Sequence, residues 1–333
     1  MLFSRTCAVV LALGVVWTGT TPSAFAHHSG YVPSASGDDR DHEGISSAPM
    51  VNASTASTLG RRRLIAGFAF DARRYNAIPA EEAHELHDAG RDIHGKNHEE
   101  TYNLHAGYGL TDDLDLYVIA PLVSKTSLQI EDHDYLGRGE RAASFGDLRL
   151  LSKYRFWKEG VDAAVLVGVK TPTGETSDRD QSGGKFEAEQ QPGSGSWDGE
   201  FGLAVSRSFR RRLSLATSIQ YTLKGEGAQD QKLGDVFRYS VGMSYALREL
   251  GAHPNLSLIL ELNNEWALRD HSRDERHVLD SGGTTVLISP GLTAQLTEHL
   301  SAFWSMAVPI YQNLGGEHEE LKYEILSGVT WSF

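Results

Sequence analysis

From Leu64 to Phe333 the chain alternates. Segments of about ten residues put apolar side chains at every second position, and a strand turns successive side chains to opposite faces. The final segment, Tyr323–Phe333, is the plainest case. One face carries Tyr323, Ile325, Val329, Trp331 and Phe333, broken only by Ser327. The other carries Glu324, Leu326, Gly328, Thr330 and Ser332. The sequence ends on the aromatic. In a closed membrane barrel, aromatic residues of this kind gather at the bilayer interfaces, and the last strand pairs with the first.

Earlier segments repeat the pattern. Leu64–Arg73 aligns Leu64, Ala66, Phe68, Phe70 and Ala72, and Thr101–Leu110 aligns Tyr102, Leu104, Ala106, Tyr108 and Leu110. A third aligns Leu114, Leu116, Val118, Ala120 and Leu122. The fourth, Asp147–Phe156, turns Leu148, Leu150, Tyr154 and Phe156 outward and Asp147, Arg149, Lys153 and Arg155 inward. Seven more follow between Val161 and Ile310 before the terminal one. The links alternate in length. Those around 111–113, 157–160, 210–212, 248–255 and 297–299 are short, and those around 74–100, 124–146, 171–196, 224–235, 265–283 and 312–322 are long. Segments of about ten residues fit tilted membrane-spanning strands, and short periplasmic turns with long outer loops are the rhythm of an outer-membrane barrel. The expectation is an all-β chain: an antiparallel transmembrane β-barrel of about twelve strands, with both termini in the periplasm. Pro121, Pro290 and Pro309 fall within strands and are expected near strand ends or bulges, because each removes a ladder bond.

The N-terminus fits export to that location. Arg5, the apolar run Ala8–Trp17 and the small-x-small site Ala24-Phe25-Ala26 read as a cleavable signal over residues 1–26. Residues 27–60, rich in Ser, Gly, Ala, Asp and His without apolar period, read as a flexible lead-in, and 61–333 as the barrel. No later run approaches the eighteen or so apolar residues of a helical span. The sole cysteine, Cys7, leaves with the signal, which removes disulfide and thiol chemistry from the mature chain. The formal charge of −13 argues against nucleic acid as a partner. The partners expected instead are outer-membrane lipid, lipopolysaccharide and the barrel assembly machinery.

Charges on the inward faces require water or paired partners, since none is stable against lipid. They include Arg63, Asp71, Arg73, Asp115, Asp147, Arg149, Lys153, Arg155, Asp162, Lys170, Asp198, Glu200, Arg238, Glu261, Glu265 and Glu324. The functional reading is a polar pathway lined by Asp115, Asp147, Asp162, Arg238 and Glu261, with a basic patch at Arg149, Lys153 and Arg155. The structural reading is a salt-bridge network filling a narrow bore, in which Arg155 faces Asp162 across a short turn. The two are compatible.

Two loops carry potential metal ligands. The first long loop holds His84, His87, His94 and His98 among Glu81, Glu82, Glu85, Asp92, Glu99 and Glu100. Imidazole with carboxylate suits zinc, copper or nickel, although no spacing here enforces a tetrahedral site. The second places Asp178, Asp180 and Ser182 at positions 1, 3 and 5 of a calcium-type loop, with Gly183 at 6 and Glu189 at 12. Lys185 stands where an apolar residue is usual, and the pattern predicts no flanking helices. Otherwise no cofactor is expected. His105 lies mid-strand without a serine in an activating motif, so an enzyme is not expected.

Four motifs carry a family resemblance: Gly107-Tyr108-Gly109-Leu110-Thr111-Asp112-Asp113-Leu114-Asp115-Leu116, Phe145-Gly146-Asp147-Leu148, Gly168-Val169-Lys170-Thr171-Pro172-Thr173-Gly174 and Gly193-Ser194-Gly195-Ser196-Trp197-Asp198. They resemble the outer-membrane "MetA-pathway of phenol degradation" family of transporters over roughly residues 100–333. The resemblance implies a barrel that passes small molecules, aromatic or other organic solutes among them, and a terminal Phe333 recognised during insertion; the last strand itself is expected to place Phe333 and Trp331 at the periplasmic interface and Tyr323 near the outer one. It supplies no catalytic residues. The expected function is a passive channel for small solutes through a charged lumen in the Gram-negative outer membrane. The alternative is a non-conducting structural or surface-binding barrel that captures divalent metal on its His-rich loop.

Overall fold

The computed structural model describes residues 50–333 apart from 77–78, 80, 82–84, 86–96, 133–134, 180–182, 184, 187, 210–211, 250–251, 273–280 and 316–319. Twelve strands form its wall. They are β1 (Leu64–Tyr75), β2 (His98–Gly109), β3 (Leu114–Asp132), β4 (Arg149–Lys158), β5 (Asp162–Lys170) and β6 (Asp198–Phe209), then β7 (Leu213–Leu223), β8 (Val236–Ala246), β9 (Asn255–Ala267), β10 (Gly283–Gln295), β11 (Leu300–Leu314) and β12 (Leu321–Ser332).

Each strand pairs antiparallel with its sequence neighbours, and β12 returns to β1 in the register Ala66↔Trp331, Phe68↔Val329 and Arg73↔Glu324. The seam continues past the strand, because the Phe333 amide donates to the Leu64 carbonyl at 2.8 Å. The sheet is therefore closed and leaves no edge, the condition for a β structure in lipid. β3 is longer than its neighbours, and its far end forms a hairpin with Tyr135–Phe145 outside the ring.

Burial follows the alternation and inverts that of a soluble protein. Along β9, Leu256, Leu258, Leu260 and Leu262 are exposed, while Asn255, Ser257, Ile259 and Glu261 are buried. The exposed set continues around the wall through Leu104, Leu116, Leu150, Phe201, Leu215, Val241, Leu292 and Val329. This is the apolar band that faces acyl chains, with polar groups turned to the lumen. Trp331 and Phe333 stand exposed at the short-turn end, with ring centroids 6.4 Å apart.

The prolines sit where the ladder is weak. Pro309 pairs with Leu287 beside a register shift at Val286/Leu287. Pro290 lies in mid-strand and pairs with Leu260 on one side, but on the other side Ser289 and Pro290 have no partner between Ile288↔Val308 and Gly291↔Ser305. Pro121 pairs with Asn103 in β2, and its carbonyl accepts the Gly146 amide just before β4.

The described end of the lead-in departs from expectation. Met50, Val51, Ala53–Leu59 are all buried, and Asn52 nearly so, because residues 50–59 run inside the barrel. A flexible segment was expected there. The segment has no apolar period because it joins no sheet: its backbone is bonded by side chains that line the bore.

Candidate functional site: the barrel lumen

The lumen has three layers of polar contact. At the short-turn end, Asp115 of β3 stands opposite Lys153 of β4 in the ladder. The Asp115 carboxylate accepts the Leu59 amide at 3.0 and 3.1 Å and the Tyr117 hydroxyl at 2.9 Å. Lys153 donates to the Ser57 carbonyl at 2.9 Å, and its ammonium lies 5.4 Å from the Tyr117 ring centre. Both charges are thus spent on holding the inserted segment.

At mid-height, Glu261 of β9 is buried and accepts the Asn52 amide at 3.0 Å, the Asn52 side-chain amide at 2.8 Å and the Ala53 amide at 2.8 Å. Between the two carboxylates, Ser218 accepts the Ser54 amide at 3.1 Å, Ser206 accepts the Ala56 amide at 3.2 Å, and Gln220 donates to the Ser54 hydroxyl at 2.8 Å.

The wall is recessed to receive the segment. Buried Ala164, Ala204, Ala216, Ser206, Ser218 and Ser244 line that stretch, and a Cβ added to Gly242 would come within 2.9 Å of the Met50 sulfur. Leu59 and Ala56 pack with Ile65, Tyr117, Leu151 and Leu166, and Met50, Val51 and Ala53 pack with Ala69, Ala216, Ile259 and Leu326.

The third layer lies at the long-loop end. Lys170, at the end of β5, reaches Asp147 and Asp198, each at 2.9 Å, and Lys224 reaches Asp198 at 3.2 Å. Lys170 also donates to the hydroxyls of Ser194 and Ser196. Asp147 accepts the amides of Gly174 and Ser194, both at 2.9 Å, and Asp198 accepts the Ser196 hydroxyl at 2.7 Å. Burial pulls the Lys224 ammonium below its ordinary value, with the adjacent Asp198 opposing that shift.

Three of the sequence motifs therefore converge on one buried charge cluster that ties the loop between β5 and β6 to the wall. The backbones meet closely there: a Cβ on Gly174 would lie 2.7 Å from backbone atoms of both Gly146 and Gly193. Only glycine permits that crossing.

The basic patch expected on β4 is neutralised. Arg149 makes a bidentate pair with Glu200 of β6 at 2.8 and 2.7 Å, a geometry that fixes both side chains. Arg155 pairs with Asp113 at 2.8 Å rather than facing Asp162: the β4–β5 ladder sets Ala164 opposite Arg155, and Asp162 lies opposite Lys158, beyond a register shift at Arg155/Trp157. Arg238 pairs with Glu265 at 2.7 Å. On the opposite wall, Arg73 lies 3.2 Å from Glu324 and 3.9 Å from Asp71.

Sequence reasoning missed Lys224, which reads as loop, and the inserted segment itself. The excess of Ala, Ser and Gly on the inward faces was the available signal for the segment, since a bore filled by side chains alone needs larger residues.

For the metal expectations, His84, His87 and His94 lie outside the described residues, as do Asp180, Ser182 and the Glu189 side chain. His98 opens β2 and lies 2.6 Å from Glu100, whose other oxygen accepts the Tyr102 hydroxyl at 2.6 Å. The backbone of Asp178 bonds the side chain of Gln191 in both directions at 3.0 Å. Among the described residues, no three His, Cys, Asp or Glu side chains are grouped to hold a metal ion. His105 lies buried in β2, 3.2 Å from the Thr330 hydroxyl.

No curated protein matches the sequence. Among solved structures, an outer membrane channel from Pseudomonas putida F1 superposes with a TM-score of 0.60 at 14% identity, covering 85% of this chain and all of that one. The NanC porin gives a TM-score of 0.46 at 7% identity, with 80% and 98% covered. The CymD monoaromatic hydrocarbon channel gives 0.38 at 10% identity, with 82% and 88% covered. The first of these establishes the outer-membrane barrel fold, in keeping with the closed ring and its apolar band. The family model described as "Putative MetA-pathway of phenol degradation" matches residues 99–312, and the chain belongs to that family of outer-membrane β-barrels.

Proposed function

We propose that the protein is a passive channel for small solutes. The observation that carries this reading is the lumen, which holds charged and polar groups at three levels between its ends although the outer face is apolar. Asp115, Lys153, Glu261, Arg149, Glu200, Arg238 and Lys170 all turn inward. A twelve-stranded bore is intermediate between eight-stranded barrels filled by side chains and open porins. The neighbour at TM-score 0.60 is itself described as a channel, which supports the same reading.

Paired charges leave no strongly basic track, so the pathway favours neutral or weakly charged solutes over anions. Reconstitution into planar bilayers tests the proposal. Discrete conductance steps are expected. Silence of both the full chain and a variant lacking residues 27–59 overturns it and favours the structural, non-conducting barrel.

A further inference from the structure

The row of β6 that faces lipid holds one charge. Phe201, Leu203, Val205 and Phe209 stand exposed along it, and Arg207 lies exposed between Val205 and Phe209. In the ladder Arg207 is opposite Leu215, which is opposite Met243. Phe209 is opposite Leu213, which is opposite Tyr245. Leu215, Met243 and Tyr245 are exposed on the same outer face. The membrane side of the guanidinium is thus apolar, and among the described residues neither Arg207 nor Arg212 has a carboxylate partner.

A cation against acyl chains is costly at the bilayer midplane and nearly free at an interface, so its head must reach one. The Arg207 guanidinium lies 4.8 Å from the ring centre of Phe209, two positions nearer the short-turn end. Two strand positions span about 7 Å. The side chain therefore runs along the wall toward the periplasmic headgroups, with its stem on apolar surface and its charge at the level of the interfacial aromatics.

A second cation waits at that level. The Arg212 amide donates to the Phe209 carbonyl at 3.2 Å, and the Arg212 carbonyl accepts the Ala246 amide at 2.8 Å, which fixes Arg212 just beyond the end of β6 with its side chain exposed. The link it belongs to differs from the other short ones. Residues 210–212 are three arginines without an acid, whereas 111–113 carries Asp112 and Asp113 and 297–299 carries Glu298. The links 157–160 and 248–255 balance Lys158 with Glu159 and Arg248 with Glu249. Positive charge is concentrated at this one point of the rim. Arg210 and Arg211 lie outside the described residues.

We propose that Arg207 and Arg212 form a binding site for the phosphodiester of an anionic phospholipid in the periplasmic leaflet, with acyl chains along Leu215 and Met243. A guanidinium offers paired donors that match phosphate oxygens, and its stacking on Phe209 presents them at headgroup depth. An acidic soluble partner could reach the turn, but Arg207 stands in the lipid-facing row, where only lipid reaches it. The proposal is independent of whether the bore conducts.

The test is selective lipid retention. The protein is reconstituted in vesicles of equal parts phosphatidylglycerol and phosphatidylcholine, extracted in mild detergent, and the lipid kept per barrel is counted by native mass spectrometry. Each form is first checked for heat-modifiable migration as a folded barrel. The parent is expected to keep phosphatidylglycerol in several-fold excess, and Arg207→Gln/Arg212→Gln to lose most of that excess. Arg207→Lys, which retains the charge, keeps the greater part of it. Arg61→Gln, at an exposed cation half the ring away, keeps all of it.

No excess of phosphatidylglycerol on the parent overturns the proposal. An excess unchanged in the double variant does so too, as does one lost equally in Arg61→Gln, which reports total charge rather than a site. An excess lost through Arg212→Gln alone but untouched by Arg207→Gln also overturns it, because that result assigns the charge to a turn open to soluble partners. If the double variant fails to fold, Arg207→Gln alone gives the same reading: a reduced excess is expected, and an unchanged one overturns the proposal.

Discussion

The amide of Ala53 donates to the buried carboxylate of Glu261 at 2.8 Å across 208 positions of sequence, from the inserted segment to the ninth strand. With two further donors from Asn52 to the same group, the contact joins the lead-in to the wall at mid-height. A hydrogen bond to a charged group contributes about 1.5–3 kcal/mol. Glu261→Ala is therefore expected to loosen residues 50–55 selectively. Limited proteolysis of reconstituted protein should cut near Asn52 in the variant and not in the parent, with the barrel intact in both.

Lys170→Met should weaken the loop end of the barrel. It leaves Asp147 and the Asp198 partner of Lys224 buried with one cation fewer, and breaking a buried ion pair from one side costs about 3–5 kcal/mol. The expected result is a lower temperature for heat-modifiable unfolding, with partial recovery in Lys170→Met/Asp147→Asn. A variant as stable as the parent contradicts the role given to this cluster.

Gly174→Ala tests the backbone crossing within the same cluster. The added methyl meets backbone of Gly146 and Gly193 at 2.7 Å, where no flexible side chain can give way. Overpacking of this kind costs about 1–3 kcal/mol. Proteolysis between residues 171 and 197 should accelerate. Gly160→Ala, in a turn with nothing within 4 Å, serves as the comparison, with strain only from its φ of +73°.

Leu260→Arg places a charge in the middle of the lipid-facing band of β9. Such a change costs about 2–4 kcal/mol near the bilayer midplane. Assembly yield in vesicles should fall well below that of Leu260→Ala. Ile259→Arg, one residue along, should assemble better than Leu260→Arg if it does not displace Met50, because its side chain faces the lumen.

Removal of Phe333 is expected to impair assembly more than conductance. The residue contributes the seam bond to Leu64 and an exposed ring beside Trp331. Normal insertion of the shortened chain counts against that role.

Most of the wall was legible in the sequence because lipid imposes period two on both faces at once, as Leu256, Leu258, Leu260 and Leu262 show against Ser257, Ile259 and Glu261. Pairing of charges was not legible. Whether Arg155 meets Asp113 or Asp162 depends on the register of the β4–β5 hairpin, which sets Ala164 opposite Arg155, and a slip of a single residue turns a side chain to the other face. The family motifs were visible as patterns, but their joint role at Lys170 needs three loops brought together in space. The inserted segment was hidden for a different reason: a strand-free stretch held by side chains leaves no periodic mark of its own.

The most direct measurement of the account is swelling of proteoliposomes in small uncharged solutes, read for the full chain beside the form lacking residues 27–59. The account predicts swelling faster than protein-free liposomes in both forms. Swelling no faster than protein-free liposomes in either form, with both verified as folded barrels, would contradict it.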